Sequence, residues 1–129
     1  MNLFFVAAAV LLTLIGLVHS VMGERLIFRR MRCGALIPTN GGKVLREPHV
    51  RIVWVSWHLV TLFGSVLAVA LLWLALPENL AMLRSPLSLS IGVSVVAAAL
   101  LVFVGTKGKH LGWAGLLGVA LLIGAGLLA

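Results

Sequence analysis

Three histidines interrupt otherwise apolar stretches of this chain, each close to a charged boundary. His19, in GLVHSVMGERL, stands five residues before Glu24, and His58, in WVSWHLV, stands seven after Arg51. His110, in KGKHLGW, opens the last apolar stretch directly after Lys109. On helices these spacings place His19 about 7 Å and His58 about 10 Å inside the charged ends. Two neutral imidazoles on different helices can take both axial positions of a haem b iron, the chemistry of an electron carrier or membrane oxidoreductase. The matched depth of His19 and His58 suits a macrocycle standing between their helices. Gly16, Gly23 and Gly64 would leave room for its faces. Arg51 and Lys109 fall where propionates would emerge, and Trp54 shares a helical stripe with Arg51 and His58.

The same residues support a second chemistry. His19, His58 and His110 together could bind Zn, Cu or Fe with one position left open, with Trp113 flanking His110 at the same boundary. Glu24 lies about 140° around a helix from His19, so it is not a natural fourth ligand. Its expected role is a salt bridge to Arg25 or Arg51, or acceptance of an imidazole N–H. Ser20 adjoins His19 but points about 100° away from it, so the pair does not face. No carboxylate is placed in sequence to orient the imidazole, and a nucleophilic hydrolase is poorly supported. His49 belongs to a polar connection and is expected to be solvated.

Composition dictates what must position these groups. The 129 residues are 62% hydrophobic and only 10% charged, against about 25% charged in a soluble domain. So few charges cannot cover a water-facing surface, and a lipid bilayer is the expected environment. Apolar runs cover residues 3–23, 52–76, 87–104 and 111–129. Helices are the open-ended structures that satisfy backbone groups in lipid. The expected fold is all-α, a single-domain antiparallel bundle of four transmembrane helices.

The first run lacks a positive segment before it, so it reads as a retained helix rather than a signal peptide. The connection 24–51 carries Arg25, Arg29, Arg30, Arg32, Lys43, Arg46 and Arg51, and the connection before the last run carries Lys107 and Lys109. Only Arg84 falls near the connection 77–86. This asymmetry predicts an inner-membrane protein with both termini outside and the long basic connection in the cytoplasm. The net charge of +7 is thereby explained by orientation, with anionic lipid as a natural companion and no call for nucleic acid.

Finer signals follow. ERLIFRRMR is expected to continue the first helix or lie along the interface. IPTNGGK reads as a turn, with Gly41 and Gly42 free to adopt positive φ. Gly42–Lys43 is no phosphate loop, because Ile37 stands where its first glycine belongs and Val44 follows the lysine. Cys33 is alone and forms no internal disulfide. Pro48 suits a first helical turn, while Pro77 and Pro86 bracket the outer turn. Trp54, Trp57, Trp73 and Trp113 fit an aromatic belt.

Small and polar stripes are expected to face inward. They comprise Thr13, Gly16, Ser20, Gly23 and Glu24 in the first helix, with His19 on the shoulder of that stripe, and Arg51, Trp54, His58, Thr61, Ser65 and Ala68 in the second. The third offers Ser90, Ser94 and Ala98, and the fourth its alanines and glycines between 114 and 124. Proton-coupled export is disfavoured because Glu24, Glu47 and Glu78 all lie in or beside connections. Rival readings to a redox cofactor site are an accessory subunit of a membrane complex, partnered or homo-oligomeric, and a small passive transporter or channel.

Overall fold

The computed structural model describes residues 1–76, 81–105, 107, 108 and 110–128, and for 81–84 and 105 the backbone alone. Four helices account for most of it: α1 (Leu3–Leu26), α2 (Glu47–Leu74), α3 (Ala81–Gly105) and α4 (Gly112–Leu128). A 3₁₀ turn at Phe28–Met31 follows α1. There is no strand among the described residues, only an isolated bridge between Gly41 and Leu45. The basic segment after Gly23 thus does continue the first helix, to Leu26.

Three helical stretches are long and apolar enough to cross a membrane: Leu3–Met31, Glu47–Leu74 and Ser85–Val104. α4 is a shorter apolar helix of 17 residues. The helix starts only at Gly112, whose N–H is taken by Nδ1 of His110 at 3.0 Å. α3 begins earlier than expected, so Pro86 lies inside it rather than in a turn. Pro77, Glu78 and Lys109 lie outside the described residues.

The chain divides into two compact units, Met1–Ile15 with Gly64–Ala129, and Gly16–Phe63. In the first, Phe5, Ala8 and Leu12 of α1, Ala68 and Leu71 of α2, Ile91 and Val95 of α3, and Val119 and Ile123 of α4 share one buried core. Asn2 ties its ends together. Its Oδ1 accepts from the N–H groups of Phe4 and Phe5, capping α1. Its Nδ2 donates to the Gly126 carbonyl at 2.7 Å, and its backbone N–H donates to Ala75 O at 2.8 Å.

The inward face of α3 differs from the expected one. Ser90 and Ser94 are exposed and donate to the carbonyls of Pro86 and Ser90 one turn back. A serine that satisfies its hydroxyl within its own helix needs no neighbour. The buried face is instead Ser88, Ile91, Val95 and Ala99. Thr13 of α1 behaves likewise, donating to Ala9 O.

The second unit holds the end of α1, the 3₁₀ turn, the basic connection and the first half of α2. Its connection is folded: the N–H groups of Thr39 and Asn40 both donate to Met31 O, at 3.0 and 2.9 Å. Pro38 is buried beside them. Gly42 takes φ +65° while its N–H bonds Asn40 Oδ1, the turn that the two glycines lead one to expect.

Candidate functional site

The polar groups of the second unit gather where α1 and α2 pack. Two close approaches permit this. Gly16 lies under Thr61, and Gly23 lies against the Trp57 indole, where a Cβ would overlap the ring. Trp57 Nε1 donates to the His19 carbonyl at 3.1 Å, and the His19 ring stacks on the indole at 4.3 Å, only 7° from parallel. Phe28 of the 3₁₀ turn, fully buried, meets the same indole edge-on.

His58 sits between Ser20 and Glu24. Its Nδ1 is 3.0 Å from Ser20 Oγ, and its Nε2 is 3.8 Å from Glu24 Oε2. Ser20 Oγ also lies 2.8 Å from Thr61 Oγ1, which donates to the Gly16 carbonyl at 3.0 Å. Glu24 accepts from Trp54 Nε1 at 3.3 Å and pairs with Arg32 at 2.6 Å. A cleft of about 370 Å³ opens beside these groups, lined by Ser20, Val21, Glu24, Arg25 and His58.

One proton assignment satisfies all three contacts of the Gly16–Thr61–Ser20–His58 chain. A carbonyl can only accept, so the Thr61 proton is committed to Gly16. Each hydroxyl has a single proton, so Ser20 must donate to Thr61. Ser20 then has only lone pairs for His58, and Nδ1 of His58 carries the hydrogen that joins them. The remaining nitrogen, Nε2, is screened from solvent and makes no hydrogen bond. In the neutral ring it turns a lone pair toward the Glu24 carboxylate.

In this assignment the imidazole donates and the serine accepts, the reverse of the order in which a serine nucleophile gives its proton to an imidazole. Glu24 lies 3.8 Å from Nε2 of His58 without a hydrogen bond to it.

Of the two histidines expected to share a haem, His58 has Nδ1 3.0 Å from Ser20 Oγ and Nε2 3.8 Å from Glu24 Oε2, while the His19 ring stacks on Trp57. Among the described residues, no three of His, Cys, Asp and Glu form a group that could hold a metal ion. His110 belongs to the other unit, exposed, at the start of α4.

The remaining candidates are placed as follows. Arg51 pairs with Glu47 one turn back at 2.7 Å, an exposed pair, and Glu24 takes Arg32 instead of Arg25 or Arg51. Trp113 donates to Gly108 O at 3.3 Å and packs on Phe103. Trp54 donates its N–H to Glu24 and Trp57 to the His19 carbonyl. Arg32 and Thr61 also contact this cluster, which sequence reasoning did not assign them to. Matching against protein-family models, curated proteins and solved structures finds no relative.

Proposed function

We propose that this is an integral membrane protein that binds and releases a proton at His58, held against Glu24, and that it serves as a proton-responsive accessory component of its membrane. The observation that carries this reading is the orphaned Nε2 of His58 directed at a carboxylate. An unsatisfied buried acceptor costs about 1–3 kcal/mol, and one facing a negative charge is worse placed still. A proton on Nε2 removes both penalties and turns the contact into an ion pair.

The surroundings set what that proton feels. Glu24 from α1 attracts it. Arg32 beyond the 3₁₀ turn neutralises part of the same carboxylate, and Arg25 lines the cleft. His19 is stacked on the neighbouring Trp57. Proton uptake would tighten Glu24 on His58 at the expense of Arg32. The site thereby links the end of α1, the segment through Arg32 and α2 to the protonation state. An intramembrane ionisable residue among helices is where function concentrates.

The bilayer supplies the rest of the reading. Outward apolar side chains such as Leu101, 75% exposed, and Val104, 71% exposed, call for lipid around them. α1, α2 and α3 would cross the membrane as part of a four-helix bundle. α4, about 25 Å long, would return through a locally thinned bilayer. Charge asymmetry favours a cytoplasmic membrane with both termini outside and the basic connection inside.

The test is nitrogen NMR of ¹⁵N-histidine-labelled protein in lipid nanodiscs. His58 is expected to keep its Nδ1–H whether or not Nε2 also carries a proton. If Nδ1 is the nitrogen that exchanges its proton, the reading falls.

A further inference from the structure

We infer that the connection between α1 and α2 is a docking surface for anionic phospholipid headgroups. The inference rests on the reading that these two helices cross a bilayer, and it begins with charge. Both carboxylates in the second unit are already engaged, Glu24 with Arg32 and Glu47 with Arg51. Arg25, Arg29, Arg30, Lys43 and Arg46 are exposed and have no carboxylate partner among the described residues. Five unneutralised cations on one short folded segment repel one another, and only an external anion relieves them.

The apolar residues beside them say which anion. Leu36 is 76% and Val44 87% exposed, next to the cations and not in any core. A phosphate ion or an RNA would leave such side chains in water. A lipid surface accepts both kinds of group at once, with the basic heads at phosphate level and the aliphatic side chains in the acyl boundary. The surface is also preformed. The paired hydrogen bonds onto Met31 O and the buried Pro38 hold the connection in shape, so docking does not first have to order it. Arg25 belongs both to this surface and to the cleft beside His58. A headgroup on Arg25 would therefore sit next to the proton site.

The experiment uses the full chain in mixed micelles holding equal amounts of phosphatidylglycerol and phosphatidylcholine, with co-purifying lipid counted by mass spectrometry. Phosphatidylglycerol is expected to be enriched, and the enrichment should fall as salt rises. Combined Arg29→Gln, Arg30→Gln, Lys43→Gln and Arg46→Gln substitutions should reduce it by at least about tenfold. Lys107→Gln, outside the surface, should leave it unchanged. These side chains are exposed, and circular dichroism is the check that the variant keeps its helices. Equal retention of the two lipids by the parent overturns the inference, as does undiminished enrichment in the variant. Full displacement of the lipid by inorganic phosphate would also overturn it, because it would mark a soluble-anion site. Resistance of the parent to alkaline extraction from membranes separately tests whether the helices cross a bilayer.

Discussion

Gly23 of α1 lies directly against the indole of Trp57 on α2, with no room between them for a methyl group. The indole N–H reaches the His19 carbonyl only because of this approach. Gly23→Ala is therefore expected to push the helices apart and to cost about 1–3 kcal/mol of stability, the usual price of overpacking. Thermal unfolding in detergent measures it. Gly64→Ala, further along α2 where nothing lies within 4 Å, should instead be neutral or stabilising by up to about 1 kcal/mol. Equal effects at the two positions would contradict the packing described.

Glu24 and Glu47 each hold one arginine, but not equally well. The Glu24–Arg32 pair is about a quarter exposed and shares its carboxylate with Trp54 and His58, whereas the Glu47–Arg51 pair is half in solvent. Glu47→Gln should change stability by no more than about 0.5 kcal/mol. Glu24→Gln should release the segment through Arg32, so that trypsin cleaves after Arg29, Arg30 and Arg32 faster than in the parent. An unchanged cleavage rate would mean that Arg32 does not anchor this segment.

The Asn2 side chain makes three bonds, two that cap α1 and one to Gly126. Asn2→Ala loses both the cap and the donor to Gly126, and should cost about 1–2 kcal/mol. Asn2→Asp keeps the capping oxygen but sets a carboxylate oxygen against the Gly126 carbonyl in place of the donor, so it too should be less stable than the parent. Thermal unfolding of the three proteins side by side provides the order.

The helices were legible in sequence because their apolar runs are long, and counting residues gave the distances of His19 and His58 from the charged ends of their helices. What counting could not supply is rotational phase between helices. Residues 19 and 20 point about 100° apart, and a small relative turn decides whether His58 meets an imidazole or a hydroxyl. It meets Ser20. Glu24 follows Ser20 at i+4 on the same face, a spacing that could have flagged the pair once α2 was brought against it. On α3 the error was different in kind: Ser90 and Ser94 looked inward-facing because they are polar, yet each bonds its own helix. α4 starts at Gly112, one residue after the apolar run opens at Leu111, and His110 Nδ1 accepts the Gly112 N–H there.

Thr61 sets the direction of the proton chain, and removing its hydroxyl should reverse that direction. Thr61→Val keeps the side chain's shape while taking away the acceptor on which Ser20 now spends its proton. Ser20 is then free to donate to Nδ1 of His58, and the ring hydrogen can move to Nε2, where it faces Glu24. The neutral tautomer should therefore switch from Nδ1–H in the parent to Nε2–H in the variant. The two forms are distinguished by their imidazole ¹⁵N shifts at alkaline pH. The Gly16 carbonyl loses its side-chain bond in the same step, so a stability loss of about 1 kcal/mol should accompany the switch. A variant that loses stability but keeps Nδ1–H would show that Thr61 supports the helix contact without ordering the protons. A parent that already carries Nε2–H would show that Ser20 is the donor to His58, and the polarity assigned to this site would be reversed.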